Sequence, residues 1–504
     1  MQLRLFLPFY AIILFLTFSA SAQNPQQKLD QYFTALSKSD MFNGSVLVAE
    51  NGEVIYQKSF GYAKFEKQSL NENTTSFQIA SVSKIFTAMA ILQLIEKKKL
   101  QLDDPYIKYF PEFPYPGITI RQLLSHSSGM SDQDVSVAIA DYDKKIGGKH
   151  TNTQLVRLLA EAKVELKLVP GEKWWYSNTG YELLATLVEK LSKKQFYRYL
   201  SQNIFVPAGM KNTYLKSDFL PQHDTTTLAN NYDFEFRYSP NRIKITGAKS
   251  YYNEASYGCS DVISTTNDLL LFDDALYSGK LISKAALEQA YLPAILNDRT
   301  KNFVWKNIGG MGDAFDGLGW FVFADSTAGK MVWHAGGIQG CATIFLRNIT
   351  RHQTVILLDN TSSEGLYKSG LNAMNILNNM PLLPVKKSLA KIYGKALMGK
   401  GEIVATCLLN EYKNDSSRFS LSENDFNNLG YDFLSNNLIP QALETFKINT
   451  FLFPDSDNTY NSYAEALQEA GKKQEAIMMY KKSLQLNPEN KESQRALQLL
   501  MVEK

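Results

Sequence analysis

Phe77-Gln78-Ile79-Ala80-Ser81-Val82-Ser83-Lys84 runs directly into Ile85-Phe86-Thr87-Ala88-Met89-Ala90-Ile91-Leu92-Gln93-Leu94-Ile95. The second stretch predicts a helix with apolar residues on nearly every side, and such a helix is buried. Ser81 and Lys84 stand three residues apart, so they share one face of it. Burial favours the neutral lysine amine, which can accept the proton of a serine hydroxyl. Ser81 also falls where the helix begins. There, unpaired N–H groups and the positive end of the macrodipole favour the negative charge that grows during attack. A nucleophile and a base so placed point to covalent acyl transfer. The other Ser-x-x-Lys match, Ser388-Leu389-Ala390-Lys391, lies on a Lys-rich amphipathic stretch and reads as a solvated helix face.

Upstream, a short polar helix is expected near Pro25 to Lys38. Gly44-Ser45-Val46-Leu47-Val48-Ala49 and Val54-Ile55-Tyr56-Gln57-Lys58-Ser59-Phe60 then flank Asn51-Gly52, the strongest hairpin signal a short segment offers. From the Ser81 helix to about Leu292 the pattern is mainly helical with long loops. It includes a segment capped by Thr119 and stopped at Gly129. Strand patterns return at Phe321-Val322-Phe323, Lys330 to Trp333, Ala342 to Leu346 and Thr354 to Leu358. Strands at both ends with helices between predict an α+β domain, one antiparallel sheet built from distant segments and carrying a helical insert.

Beyond about Asn379 helices alone are expected. Ala442, Phe446 and Pro454 recur as Ala476, Tyr480 and Pro488, each offset by 34 residues, which is the tetratricopeptide (TPR) period. Leu429-Gly430 adds the expected pair ahead of the first unit, and Tyr463-Ala464 stands at that place in the second. Ser388 to Asn414 reads as a degenerate helical hairpin and Glu489 to Lys504 as a capping helix. The expected organisation is a signal peptide over 1–22, a catalytic domain over 23–380, a helical linker or degenerate repeat over 381–422, and an all-α TPR domain with its capping helix over 423–504.

A chain of 504 residues with 44% hydrophobic and 20% charged residues is ordinary globular composition, too long for one small domain. A formal net charge of +3, with no dense Arg/Lys stretch interleaved with aromatics, gives a nucleic-acid role little support. Arg4, the apolar run Leu5 to Phe18 and Ala20-Ser21-Ala22 form the pattern of a secretory signal peptide, with cleavage near Ala22 and a periplasmic or secreted product. No other segment is apolar enough to span a bilayer. Cys259, Cys341 and Cys407 are too few and too scattered for a disulfide framework. The histidines His126, His150, His223, His334 and His352 form no close ligand pair, so neither a metal nor another cofactor is expected.

Two further segments complete a site. Tyr176-Ser177-Asn178 follows Pro170-Gly171 and leads into a helix starting near Gly180. A tyrosine on that loop can shuttle a proton to a leaving group or a water, and Asn178 can hydrogen-bond a substrate ester or amide. Tyr251-Tyr252-Asn253 and Tyr412-Lys413-Asn414 share the spacing. His334-Ala335-Gly336-Gly337 is read as ending the strand through Trp333, with glycines that let a substrate lie close to backbone. An N–H there, that of Gly337, would join the N–H of Ser81 in an oxyanion hole, and His334 would orient Tyr176 or the substrate.

The order Ser-x-x-Lys, Tyr-x-Asn, His-x-Gly resembles the serine β-lactamase and penicillin-binding-protein superfamily, particularly its class C-like branch of D,D-peptidases, D-aminopeptidases and esterases. The resemblance spans roughly Gly44 to Asn360 and extends to Ile118 to Gly129, Pro170-Gly171, Pro207-Ala208-Gly209-Met210 and Gly317-Leu318-Gly319-Trp320. It implies a β-lactamase/transpeptidase-like fold. In site terms it implies Ser81 as acylated nucleophile, Lys84 and Tyr176 as the proton-transfer pair, Asn178 as a substrate contact, and the strand through His334, Gly336 and Gly337 as substrate edge and oxyanion wall. Two departures shape the expected chemistry. Where β-lactamases carry Lys-Thr-Gly, His334-Ala335 supplies neither a permanent cation nor a hydroxyl, and no glutamate matches the deacylating base of class A enzymes. The expectation is therefore an exported serine hydrolase acting on a small ester, amide or peptide (an esterase, D-aminopeptidase or D,D-peptidase rather than a β-lactamase), with a possible protein partner at the TPR helices. The rival reading is a catalytically silent scaffold or sensor that binds a cell-wall fragment.

Overall fold

The structure, a computed structural model, describes residues 24–216, 226–235, 239, 242–245, 256–308, 311–323, 329–363 and 365–502. The signal-peptide pattern over 1–22 and the Tyr251-Tyr252-Asn253 match lie outside the described residues.

The sheet assembles from both ends of the catalytic region, as expected. Its strands in chain order are β1 (Gly44–Glu50), β2 (Glu53–Phe60), β3 (Phe303–Trp305), β4 (Ala314–Asp316), β5 (Phe321–Phe323), β6 (Met331–Ile338), β7 (Cys341–Asn348) and β8 (Gln353–Asp359). They lie side by side in the order β3-β4-β5-β6-β7-β8-β1-β2, every neighbouring pair antiparallel. Asn51 and Gly52, at φ 54° and 79°, make the left-handed turn that joins β1 to β2.

Alternation along the strands divides the sheet into two apolar faces. Val46, Val48, Trp333, Ile344, Leu346, Val355 and Leu357 pack under two helices, Pro25–Lys38 and Leu366–Leu377. Leu47, Ala49, Val332, Phe345, Ile356 and Leu358 face the larger helical body. The first helix is less polar than expected, because Leu29, Phe33 and Leu36 form a buried stripe against the sheet. At the centre of the helical body runs Lys84–Glu96, buried from Lys84 to Leu94 on all sides. Thr119 caps its short helix through a reciprocal box with Gln122, but that helix ends at Leu124, short of Gly129.

Two features of the sheet differ from expectation. Strands β3 and β4 have three residues each, too few for alternation to show. Strand β6 continues through His334-Ala335-Gly336-Gly337 to Ile338 instead of ending at Trp333, because Gln339-Gly340 turns tightly and pairs Ile338 with Cys341.

The tail is a series of helix pairs: Leu389–Lys400 with Glu402–Tyr412, Glu423–Ser435 with Ile439–Leu452, and Asp457–Glu469 with Lys473–Leu486. Lys491–Val502 follows as the last helix. Ala442 and Ala476 are fully buried at equivalent places, as are Phe446 and Tyr480. Gly430 has no room for a side chain: a Cβ there would stand 2.5 Å from the Phe446 ring. The tail is not helical throughout, since Lys387-Ser388 pairs in parallel with Phe419-Ser420. Ser388 caps the helix that follows by accepting from Lys391 N at 3.4 Å, so this Ser-x-x-Lys match is structural. The tail has its own apolar clusters and meets the catalytic domain through Lys395 and Asp40 at 3.3 Å and through Lys391 and Lys395 over the Phe234 ring.

Candidate active site

Ala80–Ser83 forms a single 3₁₀ turn that feeds the Lys84–Glu96 helix. Ala80 takes the left-handed conformation at φ 48°, a strain of about 1–3 kcal/mol for a residue with a Cβ. The turn is held down from the sheet, where Thr343 Oγ1 donates to Ile79 O at 2.8 Å and Cys341 Sγ to Gln78 O at 3.0 Å. Gly336 of β6 lies directly against it, and a Cβ at Gly336 would stand 2.3 Å from Ile79 O. The glycine is required for this close approach. The Ser81 turn and strand β6 thus form one unit.

Lys84 is fully buried and Ser81 nearly so, at 0% and 8% exposure. The lysine Nζ donates to Ser81 Oγ at 3.2 Å, Asn178 Oδ1 at 2.7 Å and Cys259 O at 2.8 Å. Three acceptors match the three N–H groups of an ammonium. A neutral amine has a lone pair in place of one proton, and of these partners only the Ser81 hydroxyl can reverse its bond and donate. The arrangement accommodates both forms of the lysine with almost no movement.

Tyr176 stands on the loop before the helix Asn178–Ser192, its ring centroid 5.0 Å from Lys84 Nζ. That helix starts two residues before Gly180, with Ser177 as its cap and Asn178 as its first residue. Asp132 anchors this helix start. Its carboxylate accepts from Ser177 Oγ, Asn178 N, Asn178 Nδ2, Thr179 N and Thr179 Oγ1 at 2.6–3.1 Å. A carboxylate at a helix N-terminus also answers the macrodipole. With its Nδ2 tied to Asp132, Asn178 must turn Oδ1 to Lys84.

His126 lies flat against Tyr176, ring centroids 4.1 Å apart, and its Nδ1 accepts from Ser177 N at 3.1 Å. The ring proton is therefore on Nε2, which has no partner among the described residues. Complete burial, then the charge of Lys84 and the neighbouring His334 ring, hold His126 well below its ordinary range. His334 is also buried and neutral. Burial and then Lys84 push it down to about 3, and its Nδ1 donates to Ala335 O at 2.7 Å. No hydrogen bond joins His334 to Tyr176. Beyond Trp333 the β6 edge facing away from β7 has no paired strand among the described residues, since β5 covers only Met331–Trp333. Gly337 sits exposed on this open stretch.

Of the site residues expected from sequence, Ser81, Lys84 and Asn178 are joined by direct hydrogen bonds, Tyr176 stands beside the lysine, Gly336 lies against the Ser81 turn, and His334 and Gly337 lie on the same strand as Gly336. Sequence reasoning gave no role to Asp132, His126 or the Cys259 carbonyl. The first two lie on or beside the Thr119 and Ser131 helix caps, a weak signal, and a backbone carbonyl leaves none.

An α+β sheet domain with a serine hydroxyl, a buried lysine and a tyrosine around one helix start defines a serine hydrolase of the β-lactamase and penicillin-binding-protein type. The family model described as Beta-lactamase matches residues 29–372, and the chain belongs to that family. Penicillin-binding protein 4* of Bacillus subtilis (strain 168) is 35% identical over 356 residues, 69% of this chain and 75% of that protein. The octameric penicillin-binding protein homologue from Pyrococcus abyssi superposes with a TM-score of 0.60 at 24% identity, over 71% of this chain and 79% of the other. EstCE1, described as a hydrolase with promiscuous acyltransferase activity, superposes with a TM-score of 0.57 at 22% identity, over 70% and 99%. No helix among the described residues is long and apolar enough to cross a membrane.

Proposed function

We propose that this chain is an exported hydrolase that turns over small esters or amides through an acyl-enzyme on Ser81. The observation that carries the reading is the buried Lys84 amine 3.2 Å from Ser81 Oγ and held there by Asn178. Ser81 Oγ attacks the substrate carbonyl, its proton passes to the neutral Lys84 amine, and the oxyanion is met by the N–H groups of Ser81 and Gly337. The leaving alcohol or amine departs with a proton delivered through Tyr176. Water then attacks the acyl group, gives its proton to the Tyr176–Lys84 pair, and Ser81 is restored.

The substrate class rests on β6. His334 is neutral, at about 3, and Ala335 has no hydroxyl, so neither offers the charge-assisted hold on a carboxylate that a lysine and threonine give. Short esters and D-amino-acid amides are favoured over acidic β-lactams. Turnover of p-nitrophenyl acetate, D-alanyl amides and nitrocefin on one preparation tests this, and a clear preference for nitrocefin overturns it. The tail is read as TPR units that recruit a protein partner. What supports this is the equal burial of Ala442 and Ala476 and of Phe446 and Tyr480, 34 residues apart.

A further inference from the structure

Behind Lys84 lies an acid that the reaction above does not use. Glu182 is one turn after Asn178 on the same helix face, 7% exposed, with Oε1 3.6 Å from the Cys259 thiol. Cys259 is the residue whose carbonyl holds Lys84 Nζ at 2.8 Å. Asn178 and Cys259, two of the three groups that grip the lysine, are therefore neighbours of Glu182 by chain turn and by contact. The charged and titratable groups facing it are Lys84 from its helix, Asp132 at the start of the neighbouring helix, and Cys259 with nearby Asp261 on the loop.

We infer that Glu182 is a positioning residue whose carboxylate charge, behind the Cys259 contact, supports the ammonium form of Lys84. As a carboxylate it stabilises the Lys84 ammonium. When Glu182 is protonated that counter-charge is gone, and Lys84 gives up its proton more readily to become the amine that accepts from Ser81. Burial and then the Asp132 charge push Glu182 up to about 7, against the pull of Lys84, so its carboxyl and carboxylate forms both occur near neutrality. The inference rests on the proposed role of Lys84 as base.

Two variants act in opposite directions. Glu182→Gln keeps shape and removes the negative charge, so the buried ammonium loses its counter-charge and the base is freed at lower pH. The acidic limb of the rate of Ser81 labelling by a fluorophosphonate should move down by about one pH unit, the size of one charge at short range in a protein interior. Cys259→Ser puts a stronger donor beside Glu182, favours its carboxylate, and should move the limb up. Thermal melting provides an independent reading. A carboxyl raised from 4.5 to about 7 by folding adds stability below pH 4.5 that is lost as pH rises through 7, so the melting temperature of Glu182→Gln should gain on the parent chain across that window. Superimposable pH limbs in all three proteins, with the parent labelled normally, overturn the Glu182 inference alone. A parent chain that is not labelled overturns the hydrolase reading beneath it.

Discussion

Lys84 Nζ is closer to Asn178 Oδ1, at 2.7 Å, than to Ser81 Oγ, at 3.2 Å. The lysine is held by an amide that Asp132 prevents from turning over, and it reaches the serine from that fixed point. Positioning of Lys84 is thus delegated to a carboxylate at the far side of the Asn178 amide. Asp132→Ala leaves two partly buried backbone N–H groups and the Asn178 amide without their acceptor. It should destabilise the fold by about 1–3 kcal/mol and slow Ser81 acylation in the folded fraction, as read by thermal melting and by labelling rate. Unchanged labelling would show that Asn178 needs no anchor.

Gly336 tests whether turn and strand form one unit. Gly336→Ala places a methyl 2.3 Å from Ile79 O, and backbone must shift to admit it. The expected cost is about 1–3 kcal/mol of stability together with a fall in kcat/KM, because the displaced segment adjoins Ser81. Gly337→Ala, where the nearest atom is the Tyr367 hydroxyl at 3.2 Å, should be much milder in stability.

The buried histidines predict acid sensitivity. His334 falls from 6.5 to about 3 on folding, so the stability it contributes is fully present above pH 6.5 and is lost as pH drops from there towards 3. His126 acts in the same sense. Denaturant titrations at pH 7.5 and 5.0 should show a loss at the lower pH, reduced in His334→Gln. An equal loss in parent and variant would mean that His334 is not buried neutral.

The tail and the catalytic domain have separate apolar clusters and meet through polar contacts around Asp40. Deleting residues 387–504 should leave ester hydrolysis intact, because Leu383 and Val385, which pack under the sheet, are retained. Loss of folding or activity would mean that the helices cover part of the catalytic domain.

Local relationships were legible in the chain, and distant ones were not. Ser81 and Lys84 lie one helical turn apart, and Asn51-Gly52 makes its own turn, so spacing alone places them. Tyr176 and Asn178 were found with the residues that flank them. Asp132 reaches Asn178 only because two helices converge, and Cys259 contributes a carbonyl that any residue could supply. Glu182 reads in sequence as one polar position on an amphipathic helix, and only burial beside Lys84 distinguishes it. The continuation of β6 through Gly337 was missed because the glycines look like a strand end. For Gly336 the real cause is the close approach of the Ile79 carbonyl.

The most direct test of the account is the site of acylation. The chain is incubated with a fluorophosphonate or an activated ester, its intact mass is measured, and the adduct is mapped by peptide sequencing. A single adduct on Ser81 is expected, absent in Ser81→Ala and formed roughly a hundred- to ten-thousand-fold more slowly in Lys84→Ala and Tyr176→Phe. An adduct on another residue, or undiminished turnover in Ser81→Ala, contradicts the account.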